Sequence, residues 1–198
     1  MRKAFALTSA LACVLAMLTA CQGKESTIDR TPLPTVATPP YLCEHIPLRA
    51  VELMTGVRNP LVRGSFDFTL SRGLGIGGCA IYQREGDQLK VLQIDLTPAS
   101  DPEDVKEVLG DGASPLPEIL PGVIGYYFKR ASGEDNAAFS TLVRGKAEIN
   151  IQLEIGAEGR DNAADVLALM KLIAPKLLTD ASAPSATPKS PSPTPKKD

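Results

Sequence analysis

From Lys146 to Ile155 the chain reads KAEINIQLEI and alternates without a break. Ile149, Ile151, Leu153 and Ile155 fall on one side, and Glu148, Asn150, Gln152 and Glu154 on the other. Period-two alternation marks a strand with one face in a core and the other toward water or a polar partner. Parallel sheets are covered on both faces, so a sheet wetted on one side is antiparallel. This one segment narrows the fold to an antiparallel sheet covered mainly on one face.

The neighbouring segments supply partners. Ala137 to Val143 forms a hairpin with it across Arg144-Gly145. Cys79 to Arg84 and Leu89 to Leu96 form a second hairpin across Glu85-Gly86-Asp87, with Leu92, Ile94 and Leu96 inward. Ser65 to Leu70 alternates with Phe66, Phe68 and Leu70 on one face, and Val123 to Arg130 is a further strand. Asp111 to Gly122, with Pro115, Pro117 and Pro121, reads as loop.

Helical periodicity appears three times. Leu42 to Thr55 carries an apolar stripe of Leu48, Val51, Leu53 and Met54, with Pro47 suited to a first turn and Gly56 to a stop. Asp101 can cap a helix that opens Pro102-Glu103-Asp104, buries Val105, Val108 and Leu109, and ends at Gly110. Asp161 to Leu178 is the longest, with Val166, Leu167, Met170, Ile173, Ala174 and Leu177 on one stripe and Pro175 near its end. Hairpins with interspersed helices predict an α+β fold: an antiparallel sheet of about five to six strands with helices packed on it.

Composition sets the expected limits of this domain. Residues 22–40 and 181–198 are rich in Pro, Thr, Ser and charge. Such segments bury too little apolar surface to offset their ordering entropy, so both are expected to be disordered or extended. The single α+β domain is expected over 41–180, long enough to hold a hydrophobic core. It carries 14 Lys and Arg against 20 Asp and Glu, a net of −6. An acidic domain is a poor match for nucleic acid. The tail 181–198 is weakly basic through Lys189, Lys196 and Lys197.

The first 21 residues address the chain. Arg2 and Lys3 precede an apolar stretch that closes on Leu18-Thr19-Ala20-Cys21. A charged start, an apolar run and a small-residue cleavage site make a secretory signal. This one resembles a bacterial lipoprotein signal peptide with its lipobox. The resemblance implies diacylglycerol on the Cys21 sulfur, cleavage before Cys21, and palmitate on the new amino terminus. It places the protein on the extracytoplasmic face of the cell membrane, with 1–20 as signal and 21–40 as lipidated Cys and tether. Two or more acyl chains hold stably, at about 0.8 kcal/mol per buried CH₂. Drawn out as polyproline II, 19 residues span up to roughly 60 Å.

Cys13 leaves with such a signal and Cys21 takes the lipid, so Cys43 and Cys79 remain as one pair in an oxidising compartment. A disulfide is the default there. His45 is the only histidine and has no second ligand cluster to complete a zinc site.

Cys43-Glu44-His45-Ile46-Pro47, the short helix ending at Gly56, and Gly78-Cys79 together resemble small actinobacterial lipoproteins of unknown function. In these a Cys before a short helix pairs with a Gly-Cys-x-Trp strand. Ile81 stands where that pattern has the aromatic. The resemblance implies a disulfide and an envelope location, and carries no activity. In layout alone, the domain is also similar to photosystem-associated and nuclear-transport proteins with a central antiparallel sheet between helices.

Candidate chemistry is sparse. Gly73-Leu74-Gly75-Ile76-Gly77-Gly78 contains G-x-G-x-x-G, but a dinucleotide cradle needs a helix next and a strand is expected instead. No G-x-S-x-G or S-x-x-K occurs, so the usual serine nucleophile signatures are missing. Glu103, Asp104 and Glu107 cluster as helix-end charge. Tyr126, Tyr127 and Phe128 form the main aromatic run; strand geometry turns Tyr127 away from the other two, and Tyr127 is the candidate binding aromatic. No catalytic residue, metal ligand or cofactor site is expected. The reading is a non-enzymatic, tethered binding module whose partners are the membrane, through Cys21, and an envelope protein. The alternative is a carrier holding a lipid or other apolar molecule between the sheet and the Asp161–Leu178 helix.

Overall fold

The computed structural model describes residues 29–129 and 137–183. The signal, Cys21 and most of the basic tail lie outside the described residues. Two short strands, β1 (Tyr41–Leu42) and β2 (Ile46–Pro47), pair with each other and lead into helix α1 (Leu48–Thr55). Then follow β3 (Leu61–Asp67), β4 (Ile76–Tyr82), β5 (Lys90–Thr97), α2 (Pro102–Gly110), β6 (Ser114–Pro115), β7 (Val123–Lys129), β8 (Ala138–Arg144), β9 (Ala147–Leu153) and α3 (Asn162–Leu177). The fold is α+β, and strands β3 to β9 form one antiparallel sheet in the order β3-β4-β5-β9-β8-β7-β6.

The sheet has seven strands rather than five to six. The additional one, β6, is a two-residue bridge to Tyr126 and Tyr127 inside the expected proline loop. Two residues, one of them Pro, carry no periodicity to read. The first helix is also shorter than expected. Cys43 and Glu44 adopt φ of 44° and 68°, incompatible with a right-handed helix, so the chain turns between β1 and β2 before α1 begins. Gly56 ends α1 with φ 72°, the left-handed conformation glycine adopts without strain.

Antiparallel partners share a face, so the register assigns every side chain. Ile149, Ile151 and Leu153 of β9 stand beside Leu92, Ile94 and Leu96 of β5 and Ala138, Ser140 and Leu142 of β8. All nine are buried. Helix α3 packs on β7, β8 and β9 and touches α1. Val166, Leu169, Met170, Ile173 and Leu177 join the sheet residues and Val51, Leu53 and Met54 of α1 in one core. The Cys43–Cys79 disulfide pins the β1–β2 turn to the centre of β4, with Cα atoms 6.0 Å apart. Burying such a core is worth roughly 25 cal/mol per Å² of apolar surface, and it dominates the fold's stability.

Helix α2 is capped by Asp101, which accepts from the Glu103 amide. It packs on β7 and β8. Val105 and Val143 are buried but stand outside the main core. Val143 faces away from Leu142, so α2 covers one corner of the opposite sheet face.

The domain also begins before residue 41. Residues 29–40, expected as part of the tether, run along the domain. Leu33 is buried in the main core, and Ala37 packs against it. Tyr41 donates its hydroxyl to the Ala37 carbonyl at 2.8 Å, and the Lys176 ammonium lies 3.8 Å over its ring. At the other end Thr179 donates to the Gly73 carbonyl at 2.6 Å, and Ser182 is buried.

Candidate functional site

The sheet face away from α3 is the candidate. Two rungs cross it. One runs Arg63, Ala80, Gln93, Gln152, Phe139, Phe128, and the next runs Ser65, Gly78, Asp95, Asn150, Thr141, Tyr126. Both go from a polar, small-residue half on β3, β4 and β5 to an aromatic half on β7 and β8.

The polar half is internally ordered. Gln93 donates its amide to Asp95 Oδ1 at 2.7 Å. A side chain at Gly78 would meet that carboxylate at 2.6 Å, so glycine leaves the space Asp95 occupies. Thr141 donates to Asn150 Oδ1 at 2.7 Å, and the Asn150 amide donates to Glu148. These bonds hold amide and carboxylate groups in fixed orientations on a half-exposed surface, which sets a directional donor and acceptor pattern for a partner.

The aromatic half is a cluster of three rings. Tyr126 and Phe128 are stacked with centroids 6.2 Å apart, and Phe139 lies 5.2 Å from Phe128 and 6.2 Å from Tyr126. Phe128 is 41% exposed, one of few large apolar side chains so open to solvent among the described residues. A cavity of about 190 Å³ opens beside it, lined by Phe128, Ala137, Ala138, Phe139, Gln152, Leu153 and Glu154. That is below the usual 300–1,000 Å³ of small-molecule sites.

Tyr127 falls on the other parity. It pairs with Ser140, which pairs with the buried Ile151, so it stands half-buried on the helix-covered face. Of the run 126–128, Tyr126 and Phe128 are the rings on the open face, beside Phe139. The apolar layer between sheet and α3, where the carrier alternative places its ligand, is lined by side chains closed to solvent. Ile149, Ile151, Val166, Leu169, Met170 and Ile173 are all at 0% exposure.

The remaining candidates disperse. His45 stands edge-on to Phe66 and Phe68, with centroids 5.9 and 5.1 Å away. Burial among them pushes its pKa below the ordinary 6.5; Glu44 opposes that shift and Lys176 adds to it. Glu103, Asp104 and Glu107 are exposed on α2, and Glu103 accepts from Lys106 at 2.6 Å. The glycine run enters β4 with no helix after it. Gly77 has φ 153°, and a side chain there would stand 2.2 Å from the Ser65 carbonyl, so its role is close strand approach. Among the described residues, no three His, Cys, Asp or Glu side chains are grouped to hold a metal ion, and no helix is long and apolar enough to cross a membrane.

One polar site escaped the sequence reading. Arg160 is 9% exposed. Its Nε and Nη2 donate to both carboxylate oxygens of Asp165 at 2.7 and 2.8 Å. Its Nη1 donates to the carbonyls of Asp29 and Thr31 at 2.6 and 2.9 Å. The R-x-x-x-x-D spacing across a helix start was the available signal.

A scan against protein-family models finds no match to this chain, and a search of curated proteins finds none either.

Proposed function

We propose that this protein is a lipid-anchored surface protein of the cell membrane, and that its domain is a non-enzymatic binding module working through the open sheet face. The observation that carries the reading is the asymmetry of the sheet. One face is sealed by α1 and α3, while the other keeps an aromatic cluster and an ordered polar row at its surface. Solvent-facing aromatics beside fixed amide and carboxylate groups suit an interface, where rigid rings supply contact area at low entropic cost. The partner is an envelope protein. The lipobox resemblance at Leu18-Thr19-Ala20-Cys21 and the disulfide both fit an extracytoplasmic address.

The test separates anchor from surface. Cys21→Ala is expected to leave the chain unlipidated and out of the membrane fraction. Tyr126→Ser with Phe128→Ser is expected to leave anchoring and the circular dichroism spectrum intact while abolishing partner capture. Capture that survives the double substitution in a folded protein counts against the open face.

A further inference from the structure

We propose that Arg160 clamps residues 29–33 to the domain as a strap, which shortens the leash from Cys21 and holds the helix layer toward the membrane. The membrane half of this proposal rests on the lipoprotein reading; the clamp itself does not.

The guanidinium is divided between two tasks. One edge meets the Asp165 carboxylate bidentately, which fixes the plane of the fork. The remaining Nη1 then reaches two backbone carbonyls from a segment about 130 positions earlier, at Asp29 and Thr31. A lysine, with one ammonium and no planar fork, cannot reproduce both sets. Leu33 is the second anchor, inserted at 6% exposure into the core shared by sheet and helices. The strap crosses the first turn of α3, where Arg30 and Pro32 border the same cleft as Asp161, Ala164 and Asp165.

Two consequences follow for a chain anchored at Cys21. Only residues 22–28 separate the lipid from Asp29, so the attachment point stands at most about 28 Å from the anchor when fully extended. A free tether to residue 41 would allow more than twice that. The strap also leaves on the α3 side of the sheet, so the short leash presents the helix layer to the bilayer and turns Tyr126 and Phe128 away from it.

Trypsin tests the clamp directly, because Lys24 lies outside the strap and Arg30 inside it. In the folded mature protein, cleavage after Lys24 should run at least about tenfold faster than cleavage after Arg30. Arg160→Ala could unfold the domain by leaving Asp165 buried and unpaired, so the variant of choice is R160M/D165L, which removes both charges together. It should speed cleavage at Arg30 at least about tenfold, with Lys24 cleavage and circular dichroism unchanged, and Leu33→Ser should act in the same direction. Equal rates at Lys24 and Arg30 in the wild-type protein would overturn the clamp, as would undiminished protection in R160M/D165L and Leu33→Ser together.

Orientation is read on vesicles carrying a headgroup acceptor dye, with donors on Ser65→Cys of the open face and Lys171→Cys of α3. Stronger transfer from position 171 is expected, and R160M/D165L should reduce the difference. Equal transfer, or stronger transfer from position 65, overturns the orientation. The mass of the mature amino terminus reports lipidation separately, so an unmodified Cys21 removes the membrane half and leaves the trypsin result standing.

Discussion

The imidazole of His45 is lodged against Phe66 and Phe68, and burial holds its pKa below 6.5. Between the folded pKa and 6.5 the unfolded chain binds more protons than the folded one, so stability rises with pH there. The contribution is complete above about pH 6.5 and is lost as the pH falls through that value toward the folded pKa. Thermal unfolding from about pH 7.5 to about pH 5.5 should therefore show a falling Tm, and His45→Gln should flatten the fall. Identical slopes in both proteins would contradict this. The aromatic run shows how parity can be misjudged at the same scale. Three consecutive aromatics give each face at least one ring, so composition cannot say which face is inside. Gly125 decides it: a side chain there would stand 2.3 Å from the Thr141 carbonyl and 2.7 Å from Leu116, which closes that face. Tyr127 shares it, so Tyr127→Ala is expected to destabilise the fold by about 1–3 kcal/mol without a direct effect on binding.

Strands and helices differ in how far the sequence disclosed them. The alternation of β9 and the capped stripe of α3 rest on long periodic runs, and both elements form within a residue or two of their expected limits. Asp161 caps α3 by accepting from the Ala164 amide. The starts of β3 and β4 were not legible, because Gly64, Gly77 and Gly78 carry no side chain to alternate. These glycines belong to strands that approach too closely for anything larger. The pairing of Cys43 with Cys79 was open to the sequence once the signal was set aside. Opening it by Cys43→Ser with Cys79→Ser should cost roughly 3–4 kcal/mol by the loop-entropy model, read as a lower denaturation midpoint. Ile151→Ala, at the centre of the sheet, should cost about 2–5 kcal/mol and leave the open face in place. A loss below about 0.5 kcal/mol would show that Ile151 is not in the packed core.

The domain is a sheet with α3 packed on one face and α2 over one corner of the other. Its α+β class followed from local patterns, whereas its limits did not. Residues 29–40 have the composition of a linker, yet Leu33 is buried in the core and Arg160 donates to the backbone carbonyls of Asp29 and Thr31. Composition averages over a window and misses one anchor residue. The open face was implied by the polar side of β9, but its aromatic half depended on β7 and β8 lying beside it. The proposed binding surface is the sheet face away from α3. The most direct measurement is photo-crosslinking in intact cells with benzoylphenylalanine in place of Phe128 or, separately, of Lys171 on α3. A discrete protein adduct is expected from position 128, lost with Tyr126→Ser, and none from position 171. An adduct from position 171 with none from position 128 would contradict it.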